Sequence, residues 1–89
     1  MKKFAFIGAG SFIFTRNLVR DLLSFPAFAD CELALMDTDP ERLERITAAV
    51  RKINAAMGTH ATITPTQSRA EALSGADGVL CTVFNGGID

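Results

Sequence analysis

Four short runs, three of them mostly apolar and one alternating, mark the chain, and stretches with helix signals separate them. The runs predict β-strands at residues 3–7, 31–36, 61–65 and 78–84. A run that is apolar nearly throughout, such as residues 3–7 or 78–84, is typical of a strand buried on both faces. Residues 61–65 instead alternate Ala, Thr, Ile, Thr and Pro. Because Pro65 cannot donate to a strand ladder, this strand is predicted at a sheet edge.

The stretch after the first strand predicts a helix. Ser11 can cap its start, and Pro26 ends it near Phe25. Apolar residues recur there at helical spacing, which predicts a buried stripe on one face. The stripe comprises Phe14, Leu18, Leu22 and Phe25.

The clearest local signals belong to the helix between the second and third strands. Asp39 can cap it, Pro40 occupies its first position, where a missing N–H costs nothing, and Gly58 closes it. Its predicted apolar stripe comprises Leu43, Ile46, Val50 and Ile53. Ser68 and Glu71 then predict a capping box over a third, short helix.

The predicted order β-α-β-α-β-α-β indicates an α/β fold with a parallel sheet and right-handed crossovers. A Rossmann-like, doubly wound sheet with strand order 3-2-1-4 puts the Thr-rich third strand at an edge. Residues 1–89 are then expected to form the amino-terminal part of a dinucleotide-binding domain. In this order Cys31 and Cys81 lie two strand spacings apart, about 10 Å, which predicts two free thiols, each expected to be buried.

Composition excludes several classes of partner. The 89 residues hold 9 Lys and Arg against 10 Asp and Glu, so no basic surface for nucleic acid or an anionic membrane is expected. The apolar runs are shorter than the roughly 18 residues that a membrane span needs. The first apolar run is also too short for a signal peptide, so a cytoplasmic protein is expected.

The segment between the first strand and the first helix carries the candidate chemistry. It reads Gly-Ala-Gly-Ser at residues 8–11. Gly8 permits a tight turn, Gly10 lets the backbone approach a pyrophosphate, and the helix start that follows offers N–H groups to phosphate. The third glycine of the dinucleotide fingerprint is absent, since Ile13 stands there, so an ordinary strand-to-helix turn stays an alternative.

A second candidate group follows the second strand. The Asp37 carboxylate can accept hydrogen bonds from both hydroxyls of an adenosine ribose and would repel the 2′-phosphate of NADP, which favours NAD. A solvated loop acid is the alternative, because the gap from Gly8 is longer than the usual ~20 residues. After the fourth strand, Asn85 begins an Asn-Gly-Gly turn at the same predicted sheet edge, where a cofactor would pass.

Two longer motifs resemble the amino terminus of glycoside hydrolase family 4, in its α-galactosidase and α-glucosidase branch. These motifs are residues 6–11 (Phe-Ile-Gly-Ala-Gly-Ser) and 34–43 (Ala-Leu-Met-Asp-Thr-Asp-Pro-Glu-Arg-Leu). The resemblance spans essentially the whole chain. It also includes Phe14, residues 17–22, Ala72, Leu73, Ala76, Asp77, Gly86 and Gly87.

The resemblance implies an enzyme that requires NAD and Mn²⁺ and cleaves a small glycoside. The implied reaction comprises oxidation of the C3 hydroxyl of the sugar, removal of the C2 proton, elimination of the leaving group, addition of water and reduction. Enzymes of this kind are exceptions to the two-carboxylate scheme of glycosidases. A homo-oligomer is expected for the full-length protein.

Carried over by motif, the resemblance assigns only cofactor-binding residues to this chain. These are Gly8, Gly10, Ser11 and Phe12 at the pyrophosphate and Asp37 at the ribose, with Arg42 and Asn85 as weaker candidates. The family's metal ligands are a Cys-His pair and a further His, and its base is a Tyr. Neither cysteine here precedes a His, and the chain has no Tyr. No catalytic or metal-binding residue is therefore expected in this chain.

Two alternatives stay open at this point. One is the start of an NAD-dependent dehydrogenase of the malate or lactate type, which opens with a similar strand, turn and helix. The other is a non-catalytic half-domain that binds adenine nucleotide or pairs its exposed strand with a partner.

Overall fold

The computed structural model describes residues 2–9 and 12–81, which form a parallel sheet with helices on both faces. The four strands are β1 (Lys3–Ile7), β2 (Glu32–Met36), β3 (Thr62–Thr66) and β4 (Gly78–Cys81). The helices are α1 (Phe12–Leu23), α2 (Pro40–Ala56) and α3 (Arg69–Leu73), with a short 3₁₀ helix at Pro26–Phe28. The sheet order β3-β2-β1-β4, with every pair parallel, confirms the predicted Rossmann-like α/β fold.

Alternation along the strands divides the core between the two faces of the sheet, because successive side chains point to opposite sides. One face packs against α1 and α2, and the other packs against α3. Buried residues of the first face include Phe6, Leu33, Leu35 and Ile63 from the strands and Val19, Leu23, Ile46 and Val50 from the helices. The second face comprises Ala5, Ile7, Ala34, Met36 and, from α3, Ala72.

The predicted stripe of α1 is confirmed in part. Leu18 and Leu22 are half-buried and pack against the core, whereas Phe14 is 45% exposed. The buried positions of the described helix lie one residue further along, at Thr15, Val19 and Leu23. Thr15 counts as polar in a hydropathy pattern although it faces the core, so the pattern shifts to its apolar neighbours. The helix also ends at Leu23, and Phe25 is 55% exposed, with its ring edge-to-face against that of Phe28.

Strand β4 differs from the strand buried on both faces that its sequence predicts. Val79 is 52% exposed and Cys81 is exposed, because β4 lies at the edge of the described sheet and pairs only with β1 there. The predicted residues 82–84 of this strand lie outside the described residues. Cys31 is buried as predicted, and both thiols are free. The edge position predicted for β3 is confirmed.

The predicted capping residues of α2 are confirmed, and those of α3 are confirmed in part. Asp39 caps α2 by accepting the N–H groups of Glu41 and Arg42, and Gly58 follows its carboxyl end with φ of +70°. At α3, the Ser68 hydroxyl accepts the N–H of Glu71 at 3.2 Å, which is half of the predicted capping box. Within the described residues, no helix combines the length and the hydropathy that crossing a membrane requires.

Candidate functional site

The turn after β1 is held against the end of β2. Gly8 adopts φ of +78°, a left-handed conformation that favours glycine. The N–H groups of Gly8 and Ala9 both donate to the Met36 carbonyl, at 2.9 and 2.8 Å. These two donors are used within the fold, so Gly8 supplies the tight turn rather than a hydrogen bond to a phosphate.

The same turn is held from α1 by a residue that the sequence patterns did not single out. The Thr15 hydroxyl donates to the Ala9 carbonyl at 2.9 Å, and both residues are fully buried. A buried carbonyl needs such a donor, because leaving it unsatisfied is costly. A threonine on the core face of a helix, one turn after a glycine turn, is the signal that could have identified it.

Asp37 lies immediately after the strand residue that holds the turn. Only 8% of Asp37 is exposed, so it is not the solvated loop acid that the sequence left as an alternative. Its Oδ1 accepts the backbone N–H of Asp39 at 2.9 Å, and its own N–H donates to the Thr66 carbonyl at 3.3 Å. The Met36 peptide unit therefore links the Gly8 turn and Asp37 at the carboxyl ends of β1 and β2.

A second unpredicted residue braces the loop beside Asp37. The Gln67 Nε2 donates to the Thr38 carbonyl at 3.1 Å, which connects the loop after β3 with the loop after β2. Arg42, a weaker candidate, lies in the first turn of α2, and its Nε is 3.7 Å from Asp39 Oδ2. The Arg42 side chain is 63% exposed, and its role in binding the cofactor stays a prediction.

Three predicted site residues, Gly10, Ser11 and Asn85, lie outside the described residues, and Phe12 is described only as the first residue of α1. The described ranges contain no group of three or more His, Cys, Asp or Glu residues that could hold a metal ion. A groove of about 570 Å³ lies between α2 and β3. Neither the Gly8 turn nor Asp37 lines it, so it is separate from the candidate site.

The described geometry brings together two of the features that the sequence assigns to a dinucleotide site. A glycine turn after the first strand and a carboxylate after the second strand meet at the carboxyl edge of a parallel sheet, where such sheets bind ligands. The turn leads into α1, and a helix start suits a phosphate group.

Burial raises the pKa of the Cys31 thiol, with a smaller contribution from the negative charge of Asp30, so this thiol stays protonated and unreactive.

Comparisons with known proteins show which family the chain is similar to. The chain matches the model of a family described as "Family 4 glycosyl hydrolase" over residues 3–89. Over 87 residues it is 38% identical to an alpha-galactosidase of Rhizobium meliloti (strain 1021) and 36% identical to one of Bacillus subtilis (strain 168). Each alignment covers 98% of this chain but only 18% and 20% of these relatives. The chain thus spans about a fifth of the length of these curated relatives.

Proposed function

We propose that this chain, which belongs to the family 4 glycosyl hydrolases, forms the amino-terminal NAD-binding part of an enzyme that cleaves α-glycosides. The observation that carries the proposal is the link between the Gly8 turn and the buried Asp37 through Met36. The two relatives named as alpha-galactosidases make an α-galactoside the first substrate to test. Family membership favours a glycosidase over a dehydrogenase of the malate or lactate type.

In this proposal the chain binds and orients the cofactor. Asp37 accepts hydrogen bonds from the hydroxyls of the adenosine ribose, and its charge disfavours the 2′-phosphate of NADP. The pyrophosphate lies at the start of α1, after the tight turn that Gly8 permits. Arg42 and Asn85 remain weaker candidates for the same cofactor.

The proposed reaction is the oxidation, elimination, addition and reduction sequence that the family resemblance implies. NAD supplies reversible oxidation of a sugar hydroxyl when it is bound. The family resemblance assigns neither a metal ligand nor the catalytic base to this chain, so the proposal puts Mn²⁺ and the base in another part of the enzyme. A homo-oligomer and a cytoplasmic location stay predictions.

The test uses the natural full-length protein after removal of bound nucleotide and metal. Calorimetric titration with NAD and NADP measures cofactor binding, and hydrolysis of a nitrophenyl α-galactoside is assayed with and without NAD and Mn²⁺. We expect saturable binding that favours NAD, and hydrolysis only when both additions are present. Solvent deuterium at C2 of the released sugar would support the elimination step.

Two results would contradict the proposal in different ways. Full hydrolysis by protein shown to be free of nucleotide would contradict the redox mechanism. Absence of NAD binding at millimolar concentration would contradict the proposal that this chain binds the cofactor. A matched α-glucoside and β-galactoside are assayed beside the α-galactoside. Hydrolysis of one of these instead of the α-galactoside would contradict the substrate and leave the mechanism open to the same test.

A further inference from the structure

The hydrogen bond between Thr15 and Ala9 reaches outside the helix that carries it. A buried threonine in a helix commonly donates to the carbonyl four residues earlier in the same helix. Thr47 of α2 does so, with its hydroxyl 2.6 Å from the Leu43 carbonyl. Thr15 instead donates to a carbonyl six residues earlier, in the turn that precedes α1. Its hydroxyl therefore connects α1 to the turn rather than one helical turn to the next.

With this bond, the turn at Gly8 and Ala9 is held from two sides, by β2 and by α1. The Met36 carbonyl of β2 accepts the N–H groups of Gly8 and Ala9, and the Thr15 hydroxyl holds the carbonyl of Ala9. The backbone of Ala9, the last described residue of the turn, is therefore held both at its N–H and at its carbonyl.

We propose that Thr15 is a positioning residue for the dinucleotide, acting through the Ala9 peptide without touching the cofactor. The inference rests on the proposed NAD-binding function, and it deepens that function by naming a residue that determines affinity. An orientation fixed before binding avoids the entropy cost of ordering the turn around the pyrophosphate. Thr15 is fully buried, so we expect it to act on the turn and not to contact the ligand itself.

The experiment compares two buried threonines in the natural full-length protein. Thr15→Val removes the hydroxyl that holds the turn, and Thr15→Ser keeps a hydroxyl at the same position. Thr47→Val removes an equivalent buried hydroxyl from α2 and serves as the matched control. NAD and ADP-ribose affinities are measured by calorimetry, the KM for NAD and kcat by kinetics, and stability by thermal unfolding.

We expect Thr15→Val to weaken both ligands about tenfold, the size expected for one lost hydrogen bond. KM for NAD should rise with kcat little changed, because the chemical step lies elsewhere. Thr15→Ser should restore the affinity, and Thr47→Val should lower the unfolding temperature without changing either affinity. If Thr15→Val fails to fold, Thr15→Ala provides the same comparison.

Equal ligand affinities for wild type, Thr15→Val and Thr47→Val would overturn the positioning role and leave Thr15 as a structural residue only. Failure of the wild type itself to bind NAD and ADP-ribose would instead refute the proposed function, and the positioning role with it. Loss of affinity in Thr15→Val that Thr15→Ser does not restore would also contradict the inference, because it would trace the effect to packing and not to the hydroxyl.

Discussion

The Asp37 carboxylate accepts the backbone N–H of Asp39 at 2.9 Å, so the acid that follows β2 is oriented by the residue that caps α2. Asp39 in turn accepts the N–H groups of Glu41 and Arg42. A carboxylate offers about four lone-pair sites, so Asp37 can hold the loop and still accept from a ribose. The loop at residues 37–39 thus contains both a hydrogen bond that orders the backbone and the carboxylate predicted to select NAD over NADP.

Asp37→Asn separates these two roles. The amide oxygen can still accept the Asp39 N–H, whereas the negative charge is lost. We expect an unfolding free energy within about 1 kcal/mol of wild type, about tenfold weaker NAD binding and a smaller preference for NAD over NADP. Calorimetry with both nucleotides and urea unfolding of the same samples measure these quantities. An unchanged preference for NAD would contradict the role of Asp37 in discrimination.

Removing the cap of α2 tests the neighbouring acid. Asp39→Ala leaves two N–H groups at the start of α2 without their acceptor and is expected to lower the free energy of unfolding by about 1 kcal/mol. Asp39→Ser keeps a capping oxygen and should lose less. The exposed ion pair with Arg42 contributes little, so Arg42→Gln is a suitable control. Equal losses in all three variants in urea titrations would contradict a capping role.

Features that depend on neighbours along the chain were the ones that the sequence predicted well. Asp39, Pro40 and Gly58 begin and end α2 as expected, because capping involves residues within one turn. The strand order followed from connection rules and from the proline in β3. The position of Asp37 at the carboxyl edge followed from the same topology.

Features that depend on contacts between elements were predicted less well. The Glu71 carboxylate accepts the Thr66 hydroxyl at 2.6 Å, and that hydroxyl accepts the N–H of Ser68 at 3.0 Å. The second half of the capping box is therefore replaced by a residue of β3. The buried role of Thr15 was hidden for a similar reason, because its partner lies outside its own helix.

The contact between β4 and β1 gives a prediction about packing. A Cβ added at Gly78 would lie 2.9 Å from Cδ1 of Phe4, whose ring also packs edge-to-face with that of Phe28. Gly78→Ala therefore forces the Phe4 ring or β4 to move, and we expect a loss of about 1–3 kcal/mol in unfolding free energy. Chemical denaturation of the chain carrying this substitution measures the loss.

Phe4→Leu provides the control for the Gly78 contact, because a smaller side chain relieves the clash. In a double-mutant cycle, the two substitutions together should cost less than the sum of the single ones. Strictly additive losses would show that the Gly78 variant destabilises the sheet in another way.

The buried thiol of Cys31 predicts a dependence of stability on alkaline pH. Burial, with a smaller contribution from Asp30, raises the pKa of this thiol above its ordinary value of 9.0, although a backbone hydrogen bond opposes the shift. Above pH 9 the unfolded chain therefore releases the thiol proton that the folded chain retains. The unfolded state then binds fewer protons, so the free energy of unfolding falls as the pH rises through this range. Below pH 9 this contribution is fully present.

Urea titrations from pH 7.5 to 10.5 measure the dependence in wild type, Cys31→Ala and Cys81→Ala. We expect a shallower alkaline slope only in Cys31→Ala, because this variant has lost the thiol that titrates differently in the two states. The exposed Cys81 is the matched control, and its removal should leave the slope unchanged. Comparing slopes instead of absolute stabilities removes the cavity cost of Cys31→Ala, which is independent of pH. A slope in Cys31→Ala equal to that of wild type would show that the alkaline loss does not come from the buried thiol.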